Sequence, residues 1–353
     1  MWSSLSQRRL RRFVPSWRGL CVCGLCIASC TPLLGQYGYY PRKFPMSRAE
    51  TLTTGTKRTA SSQSWVRTHE GIDMPKMIYG TAWKKERTDA LVEQAVTAGF
   101  RGIDTACQPR HYREDLVGAA IKNLEARGVV RREDLFIQTK YTPPPGQDPA
   151  SIPYDPRAAV PSQVRKSFET SLENLGTNYV DSLVLHSPLN TAEKTQAAWE
   201  AMEELKLQGK VKQLGISNCY SLPLLKSLCS AARVKPAVVQ NRFYVDSGYD
   251  TELRQWCSDN HIVYQSFWSL TANPGLLHSP LVKGLARKYA RSSPQILFKY
   301  LTERGIVPLT GTCDPVHMKE DLEVLEDENF VLEDSELSDI DHLIQQACDS
   351  PDQ

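Results

Sequence analysis

In the stretch Gly102-Ile-Asp-Thr-Ala-Cys-Gln-Pro-Arg-His-Tyr-Arg-Glu114, a short apolar run passes into a helical pattern. The apolar run, Phe100–Ile103, predicts a β-strand, and the carboxylate of Asp104 follows it directly. Tyr112 stands eight residues after Asp104, where the helical pattern starts. A strand that leads through a loop into a helix is one unit of an α/β fold. The stretch therefore predicts a strand–helix unit with two polar groups in its connecting loop.

The same alternation of strand and helix patterns continues through the chain from about Ile72. Eight short strands are predicted, at Met77–Tyr79, Phe100–Ile103, Leu135–Thr139, Val180–Leu185, Val211–Ile216, Ala237–Gln240, Ile262–Ser266 and Gly305–Leu309. Helices are predicted between them, at Glu86–Ala98, Asp115–Arg127, Pro161–Leu175, Thr191–Gln208, Leu222–Ala232, Thr251–Asp259 and Pro280–Thr302, the last broken near Ser292. Eight such units predict an α/β fold in which a parallel sheet closes into a (β/α)8 TIM barrel.

Two further polar residues stand at the ends of predicted strands. Lys140 closes the third strand, and His186 follows the fourth. Because barrel enzymes build their sites at the C-terminal ends of the strands, we expect Asp104, Tyr112, Lys140 and His186 to meet at one mouth of the barrel. Each residue alone is typical of a structural role, such as a turn carboxylate or a solvated lysine. Their order on successive strands favours a catalytic site.

The four side chains predict a proton donor. A free phenol has a pKa of about 10, which a neighbouring ammonium lowers. We therefore expect Lys140 to lower the pKa of Tyr112, while Asp104 holds Lys140 in place. His186 can hydrogen-bond a substrate carbonyl and orient it. The arrangement favours hydride addition to a carbonyl group, with the proton coming from Tyr112.

Several segments resemble signature segments of the aldo-keto reductase family. They are Gly80-Thr-Ala-Trp83, Gly102-Ile-Asp-Thr-Ala106, Thr139-Lys140, Asp181-Ser-Leu-Val-Leu-His186, Gly215-Ile-Ser-Asn218 and Gly305-Ile-Val-Pro-Leu-Thr-Gly-Thr312. The resemblance covers roughly Gly71 to Leu325. It implies an NAD(P)H-dependent oxidoreductase that reduces an aldehyde or ketone to an alcohol by hydride transfer. It also implies that the four residues form a catalytic tetrad in which Tyr112 is the general acid.

The resemblance further implies a site for NADP(H), with NAD(H) left open. Ser217, Asn218 and Gln240 would hydrogen-bond the nicotinamide carboxamide, and Phe267 would stack on the ring, where the family usually has a tyrosine. The rest of the implied cofactor site follows the last strand and comprises Thr310, Gly311, Thr312, His317 and Asp321. No Gly-rich dinucleotide fingerprint is present in the sequence, as expected for a cofactor site built on a barrel.

The chain departs from the family pattern before the tyrosine. Most members have the tyrosine five residues after the aspartate, where this chain has Pro109. The loop that leads to Tyr112 is therefore three residues longer. The alternative is that the acid is missing and that the protein is a degenerate member.

A second departure concerns the adenosine phosphate. Members that prefer NADPH usually carry a lysine and an arginine where this chain has Gly311 and His317. A phosphate site normally uses fixed positive charge. Lys319 and the helix amides around Asp314–His317 could contribute to such a site. The preference between NADPH and NADH therefore stays open.

An apolar substrate pocket is expected at the barrel mouth. Trp83 and Trp268 are candidates for its walls, together with the Pro-rich loop Tyr141–Val160. Packing of Trp83 in the core is the alternative for that residue. The expected partner is a small carbonyl compound, whose identity the residues do not specify.

Composition limits the other classes of function. The chain has 353 residues, a formal charge of +2 and 41% hydrophobic residues, enough for one large core. The small net charge gives no reason to expect a nucleic-acid partner. Six scattered cysteines, from Cys107 to Cys348, are typical of reduced thiols, and no metal site is expected in the barrel. We expect a monomer, without a membrane span in the mature barrel.

The first 65 residues differ from the rest. They carry five arginines by position 18, no acidic residue before Glu50 and many Ser and Thr. Residues 1–65 are therefore expected to be a disordered targeting leader, and residues 66–353 the barrel with an acidic C-terminal tail. An organelle address, mitochondrial or plastid, is favoured over secretion or a cytoplasmic location. The cysteines from Cys21 to Cys30 fit this leader better than a metal site.

A function of another class stays open. The displaced tyrosine and the weakened phosphate site would also fit a non-enzymatic barrel that binds a nucleotide and acts as a redox-sensing or regulatory subunit.

Overall fold

The computed structural model describes residues 64–349, and the expected leader and its cysteine cluster lie almost entirely outside this range. Eight parallel strands form a closed barrel in which each strand pairs with the next along the chain and the last pairs with the first. The strands are β3 (Ile78–Gly80), β4 (Gly102–Asp104), β5 (Phe136–Tyr141), β6 (Val180–Leu185), β7 (Val211–Ser217), β8 (Val238–Arg242), β9 (Val263–Phe267) and β10 (Val307–Thr310). The predicted (β/α)8 barrel is confirmed.

Helices surround the barrel in the described range. They are α1 (Thr88–Ala98), α2 (Glu114–Ala126), α3 (Val160–Leu175), α4 (Ala192–Leu207), α5 (Leu222–Ala231), α6 (Thr251–Asp259), α7 (Pro274–His278), α8 (Pro280–Tyr289), α9 (Ser293–Glu303), α10 (Pro315–Glu326) and α11 (Asp334–Asp349). The predicted break near Ser292 separates α8 from α9, because Ser292 caps α9 through the amide nitrogen of Gln295. None of the helices described is long and apolar enough to cross a bilayer.

A two-stranded hairpin, β1 (Trp65–Arg67) and β2 (Asp73–Pro75), was not predicted. Its strands have three residues each, too few to show an alternating pattern. The hairpin places Met74 in the barrel interior, where the sulfur accepts hydrogen bonds from Gln265 at 3.2 Å and from Gln213 at 3.9 Å. The hairpin thus covers the end of the barrel opposite the C-terminal ends of the strands.

The barrel interior changes from apolar to polar along its axis. The part of the interior nearest the hairpin is a small apolar cluster that comprises Met74, Ile78, Phe136, Val184, Val238 and Val307. A much larger apolar core lies between the barrel and the helices. Above the small cluster, Gln138, Gln240 and Gln265 form a hydrogen-bonded layer. This layer is the floor of the mouth at which the predicted site residues lie.

The C-terminal tail packs on the flank of the barrel. Tyr300 of α9 donates a hydrogen bond of 2.6 Å to Asp341 of α11, and Lys288 of α8 pairs with Glu336 at 2.8 Å. These contacts anchor α11, which is the helix of the acidic tail. The helix α10, which follows the last strand, was not delimited by the sequence pattern.

Candidate active site

The centre of the site is a buried ion pair between β4 and β5. The ammonium of Lys140 donates to Asp104 Oδ2 at 2.5 Å and to the carbonyl oxygen of Thr105 at 2.9 Å. The other carboxylate oxygen, Oδ1, accepts from Gln138 at 2.8 Å and from Gln240 at 3.1 Å. Burial lowers the pKa of Lys140, and the charge of Asp104 opposes that shift. Asp104 therefore does what the sequence predicted of it: it pairs with Lys140 and holds it in place.

Tyr112 lies beside this pair, two residues before α2 begins. The ammonium of Lys140 is 5.3 Å from the centre of its ring. Within the described residues the Tyr112 hydroxyl has no hydrogen-bond partner, so it is available to a ligand. Burial raises the pKa of Tyr112, and the charge of Asp104 raises it further. The predicted lowering of this pKa was wrong, because desolvation and the charge of Asp104 both raise it. The resting phenol is protonated, as a proton donor must be.

His186 faces Tyr112 across the mouth. The two ring centres are 6.0 Å apart, and the rings meet edge to face. Thr142 Oγ1 lies 2.6 Å from Nδ1 of His186, which leaves Nε2 for a ligand. Burial lowers the pKa of His186 well below its ordinary value, and the charge of Lys140 adds to this effect. The imidazole is thus neutral near pH 7 and can donate or accept a hydrogen bond without carrying charge.

The longer loop between Asp104 and Tyr112 is held from two sides. The amide nitrogen of Trp83 donates to the carbonyl oxygen of His111 at 2.7 Å. The side chain of Gln108 donates to the carbonyl oxygen of Gly146 at 2.7 Å, in the Pro-rich segment. The three additional residues are therefore accommodated in a fixed turn, and Tyr112 still reaches Lys140.

Behind the loop, Glu114 ties α2 to β5. Thr139 donates to one oxygen of the buried Glu114 carboxylate, and Ser171 donates to the other at 3.2 Å. Thr139 immediately precedes Lys140, and Glu114 follows Tyr112 by two residues. Glu114 therefore links the backbone next to Tyr112 to the backbone next to Lys140.

Four side chains that shape the site were missed in the sequence. Gln138 donates to Asp104, Gln265 accepts from Gln138, Thr142 bonds the ring of His186, and Glu114 anchors α2. Gln138 and Thr142 could have been predicted from the sequence. Side chains alternate along a strand, so residues two positions before and after Lys140 point into the barrel on the same side as Lys140. Glu114 carried no such signal.

The residues implied for the nicotinamide also lie at this mouth. Asn218 adopts a positive φ of 51° directly after β7, and its side-chain amide donates to the carbonyl oxygen of His186 at 2.8 Å. Its Nδ2 is also 3.2 Å from Ser217 Oγ. Gln240 uses its side-chain nitrogen on Asp104 and Gln265, which leaves its carbonyl oxygen for a ligand. This mixed set of donors and acceptors fits a carboxamide, and the half-buried ring of Phe267 ends the neighbouring strand β9.

The residues implied for the adenosine end divide into two groups. Thr310 and Asp321 are buried and bond to each other at 2.7 Å. Gly311, Thr312 and His317 line the turn into α10 and its first helical turn. Gly311 and His317 are exposed there and Thr312 is half-buried.

Lys84 contributes a positive charge beside Gly311. Its ammonium donates to the Gly311 carbonyl oxygen and lies 3.4 Å from Cys313 Sγ. A Cβ atom at position 311 would be 3.4 Å from the same ammonium. The ammonium therefore lies where a side chain of residue 311 would begin, although it comes from the loop after β3.

The two tryptophans lie at the rim. Trp83 is 55% exposed, which excludes the alternative that it packs in the core, and it stacks on His111 with ring centres 3.7 Å apart. Trp268 is 48% exposed, and its ring centre is 4.3 Å from the guanidinium carbon of Arg242. Both have aromatic surface available to a ligand.

The chain is similar in sequence and in fold to known proteins of one family. A sequence model of the aldo/keto reductase family matches residues 76–345. The uncharacterised oxidoreductase YtbE of Bacillus subtilis is 29% identical over 296 residues, which are 83% of this chain and 98% of YtbE. A glycerol 2-dehydrogenase (NADP(+)) of Hypocrea jecorina is 30% identical over 295 residues, covering 74% of this chain and 87% of that protein. The crystal structure of an aldo/keto reductase from Brucella melitensis superposes with a TM-score of 0.66 at 28% identity, covering 79% of this chain and 98% of that one.

Proposed function

The chain belongs to the aldo/keto reductase family, and we propose that it reduces an aldehyde or ketone to an alcohol with NAD(P)H, Tyr112 acting as general acid. One observation carries the proposal. The phenol of Tyr112, which has no hydrogen-bond partner among residues 64–349, lies beside the buried Lys140–Asp104 pair and opposite His186, all at the C-terminal mouth of the barrel. These groups can bind a carbonyl oxygen and give it a proton.

The chain's own residues manage the proton. A reduced nicotinamide, when bound, supplies the hydride that adds to the carbonyl carbon. Tyr112 donates its hydroxyl proton to the carbonyl oxygen, and the ammonium of Lys140 stabilises the phenolate that remains. Asp104 keeps Lys140 charged in its buried position. His186 donates a hydrogen bond that orients the carbonyl oxygen toward Tyr112, and Thr142 fixes the angle of the imidazole.

Ser217, Asn218 and Gln240 would hold the nicotinamide carboxamide, with Phe267 against the ring. Thr310, Gly311, Thr312, His317 and Asp321 would line the adenosine end. The relative from Hypocrea jecorina is a glycerol 2-dehydrogenase (NADP(+)), which supports NADP(H) as the cofactor here. The position of the Lys84 ammonium supports the same choice, because it supplies the charge that Gly311 lacks.

Turnover of a panel of aldehydes and ketones tests the proposal. We expect oxidation of NADPH that depends on the added carbonyl compound. If the wild-type protein binds NADPH tightly but oxidises it with no member of the panel, the reductase proposal is contradicted. That result would favour the non-enzymatic nucleotide-binding barrel.

Residues 1–65 we propose to be a leader that directs the protein to a mitochondrion or plastid. The Arg-rich, acid-poor composition of this segment supports the proposal. A fluorescent fusion of the full chain, compared with one that starts at Ser64, tests it. Identical cytoplasmic fluorescence of both fusions would contradict it.

Size-exclusion chromatography with light scattering tests the expected monomer.

A further inference from the structure

Arg242 is a cation at the barrel mouth that the proposed reaction does not use. It is the last residue of β8, and side chains alternate along a strand. Val238 packs in the barrel interior and Gln240 bonds to Asp104, so Arg242 lies on the same inward face, one step nearer the mouth. Its register partner on β9 is Phe267. Arg242 therefore belongs to the layer of side chains that forms the proposed site.

Two aromatic rings fix the guanidinium of Arg242. Its central carbon is 4.3 Å from the ring centre of Trp268 and 4.9 Å from that of Tyr244. Its backbone nitrogen donates to the hydroxyl of Tyr220 at 3.2 Å, and that hydroxyl lies 3.4 Å from Asn218 Oδ1. The position of Arg242 is thus tied to Asn218, the residue that bonds the backbone of His186.

The guanidinium has no counter-charge. Among residues 64–349 no carboxylate lies within salt-bridge distance of Arg242, and its buried Nε has no hydrogen-bond partner. Arg132 is a useful contrast. It stacks on Tyr179 at 4.2 Å in a similar way, but it also pairs with Asp181 at 2.9 Å. Both guanidinium groups are stacked and have a buried Nε without a partner, so the difference between them is the carboxylate: Arg132 has one, and Arg242 has none among residues 64–349.

This combination has a chemical consequence. A half-buried guanidinium loses hydration, and a stacked one keeps the planar edge of its N–H donors in a fixed direction. That edge matches the paired oxygens of a carboxylate or a phosphate. Lys140 does not compete for such a group, because Asp104 neutralises it.

We infer that Arg242 binds an anionic group at the mouth, with Trp268 and Tyr244 holding its guanidinium in place. This anionic group is either the carboxylate of an acidic carbonyl substrate or the diphosphate of the dinucleotide, and the experiment below distinguishes these two sources. The substrate source rests on the proposed function, and the dinucleotide source requires only binding. Arg242 would in the first case set a preference for carbonyl compounds that carry a negative charge.

Arg242→Met tests the inference, because it removes the charge and keeps an unbranched side chain. Binding of pyrophosphate, NADPH and NADH is measured by quenching of tryptophan fluorescence. Turnover is measured with 4-carboxybenzaldehyde and with its neutral match, methyl 4-formylbenzoate. We expect either a dissociation constant for the phosphate probes about tenfold higher, or a ratio of kcat/KM for acid over ester about tenfold lower. The first result identifies the dinucleotide as the source, and the second identifies the substrate.

Arg287→Met is the matched control, because it removes one charge from the exposed surface of α8. We expect it to leave both measurements unchanged. Arg242→Gln is the second variant if Arg242→Met does not fold, as judged by thermal unfolding. Unchanged affinity for all three phosphate probes, together with an unchanged acid-to-ester ratio, would overturn the inference. If the wild-type protein reduces neither aldehyde, the proposed reaction fails, and the binding measurements still decide the role of Arg242.

Discussion

The ammonium of Lys140 lies 2.5 Å from Asp104 Oδ2, and neither side chain is more than 3% exposed. Gln138 and Gln240 satisfy the second oxygen of this carboxylate. A buried pair with its remaining atoms hydrogen-bonded is stable as a unit, but loss of either partner leaves the other desolvated without compensation.

Asp104→Asn should therefore destabilise the protein by roughly 3–5 kcal/mol and abolish most turnover. The reason is that Lys140 loses the charge that opposes the lowering of its pKa. Urea unfolding measures the first effect and steady-state kinetics the second. The double variant Asp104→Asn with Lys140→Met should recover part of the stability but none of the activity. Equal stability of Asp104→Asn and the wild type would show that Lys140 is not charged in the folded protein.

Thr142→Val should impair catalysis by removing the hydroxyl that lies 2.6 Å from His186 Nδ1. Without it the imidazole is free to rotate, so we expect kcat/KM to fall about tenfold or more. The dissociation constant for NADPH should change little. Thr142→Ser keeps the hydroxyl and should restore kcat/KM. Equal rates for the valine and serine variants would contradict the positioning role of Thr142.

Lys84→Met should weaken binding of NADPH by about tenfold and leave NADH binding nearly unchanged. The expected cause is loss of the ammonium that lies beside Gly311. Fluorescence titration with both dinucleotides measures the effect. Lys85→Met, which removes a charge at the exposed neighbouring position, is the control. Parallel weakening of NADPH and NADH by Lys84→Met would assign Lys84 to a part of the cofactor that both share.

Asp321→Asn should stabilise the protein in a pH-dependent way. Burial raises the pKa of Asp321 from 3.8 to about 6, while the hydrogen bond from Thr310 opposes the shift. The folded protein thus retains a proton that the unfolded chain has released. The stabilising contribution is fully present below about pH 4 and is lost as the pH rises through about 6.

The asparagine variant does not ionise at this position, so it should gain on the order of 2–3 kcal/mol over the wild type at pH 8 and almost nothing near pH 4. Urea unfolding at the two pH values measures the difference. Asp339→Asn, at an exposed position of α11, should give no such pH dependence. A gain that is equal at both pH values would contradict the assignment of the proton to Asp321.

The sequence was sufficient for the barrel and for the convergence of its site residues. Strand and helix periods alternate clearly, and the C-terminal ends of parallel strands meet at one mouth. The sequence alone therefore predicts that Asp104, Lys140 and His186 lie close together. Tyr112 was predicted to join them because a helical pattern begins directly after the loop that ends at Tyr112. The structure places the Tyr112 ring 5.3 Å from the Lys140 ammonium.

Other features depend on contacts that no local pattern reports. Lys84 meets Gly311 across 227 positions of the chain, so a lysine that reaches position 311 from another loop was not visible. The pKa of Tyr112 depends on how deeply the phenol is buried and on how close it lies to Asp104, and neither can be read from the sequence. Glu114 looks like an ordinary first-turn acid of a helix, and only the fold shows that it is buried against Thr139.

The most direct measurement of the central claim compares Tyr112→Phe with the wild type in both turnover and NADPH binding. If Tyr112 is the general acid, kcat/KM should fall by roughly 100- to 10,000-fold, because the substitution removes the hydroxyl that donates the proton. The dissociation constant for NADPH should stay within about twofold of the wild-type value, a free-energy change below about 0.5 kcal/mol. Tyr179→Phe, directly before β6 and away from the mouth, should alter neither quantity. Wild-type turnover by Tyr112→Phe, or loss of NADPH binding in place of turnover, would contradict the account.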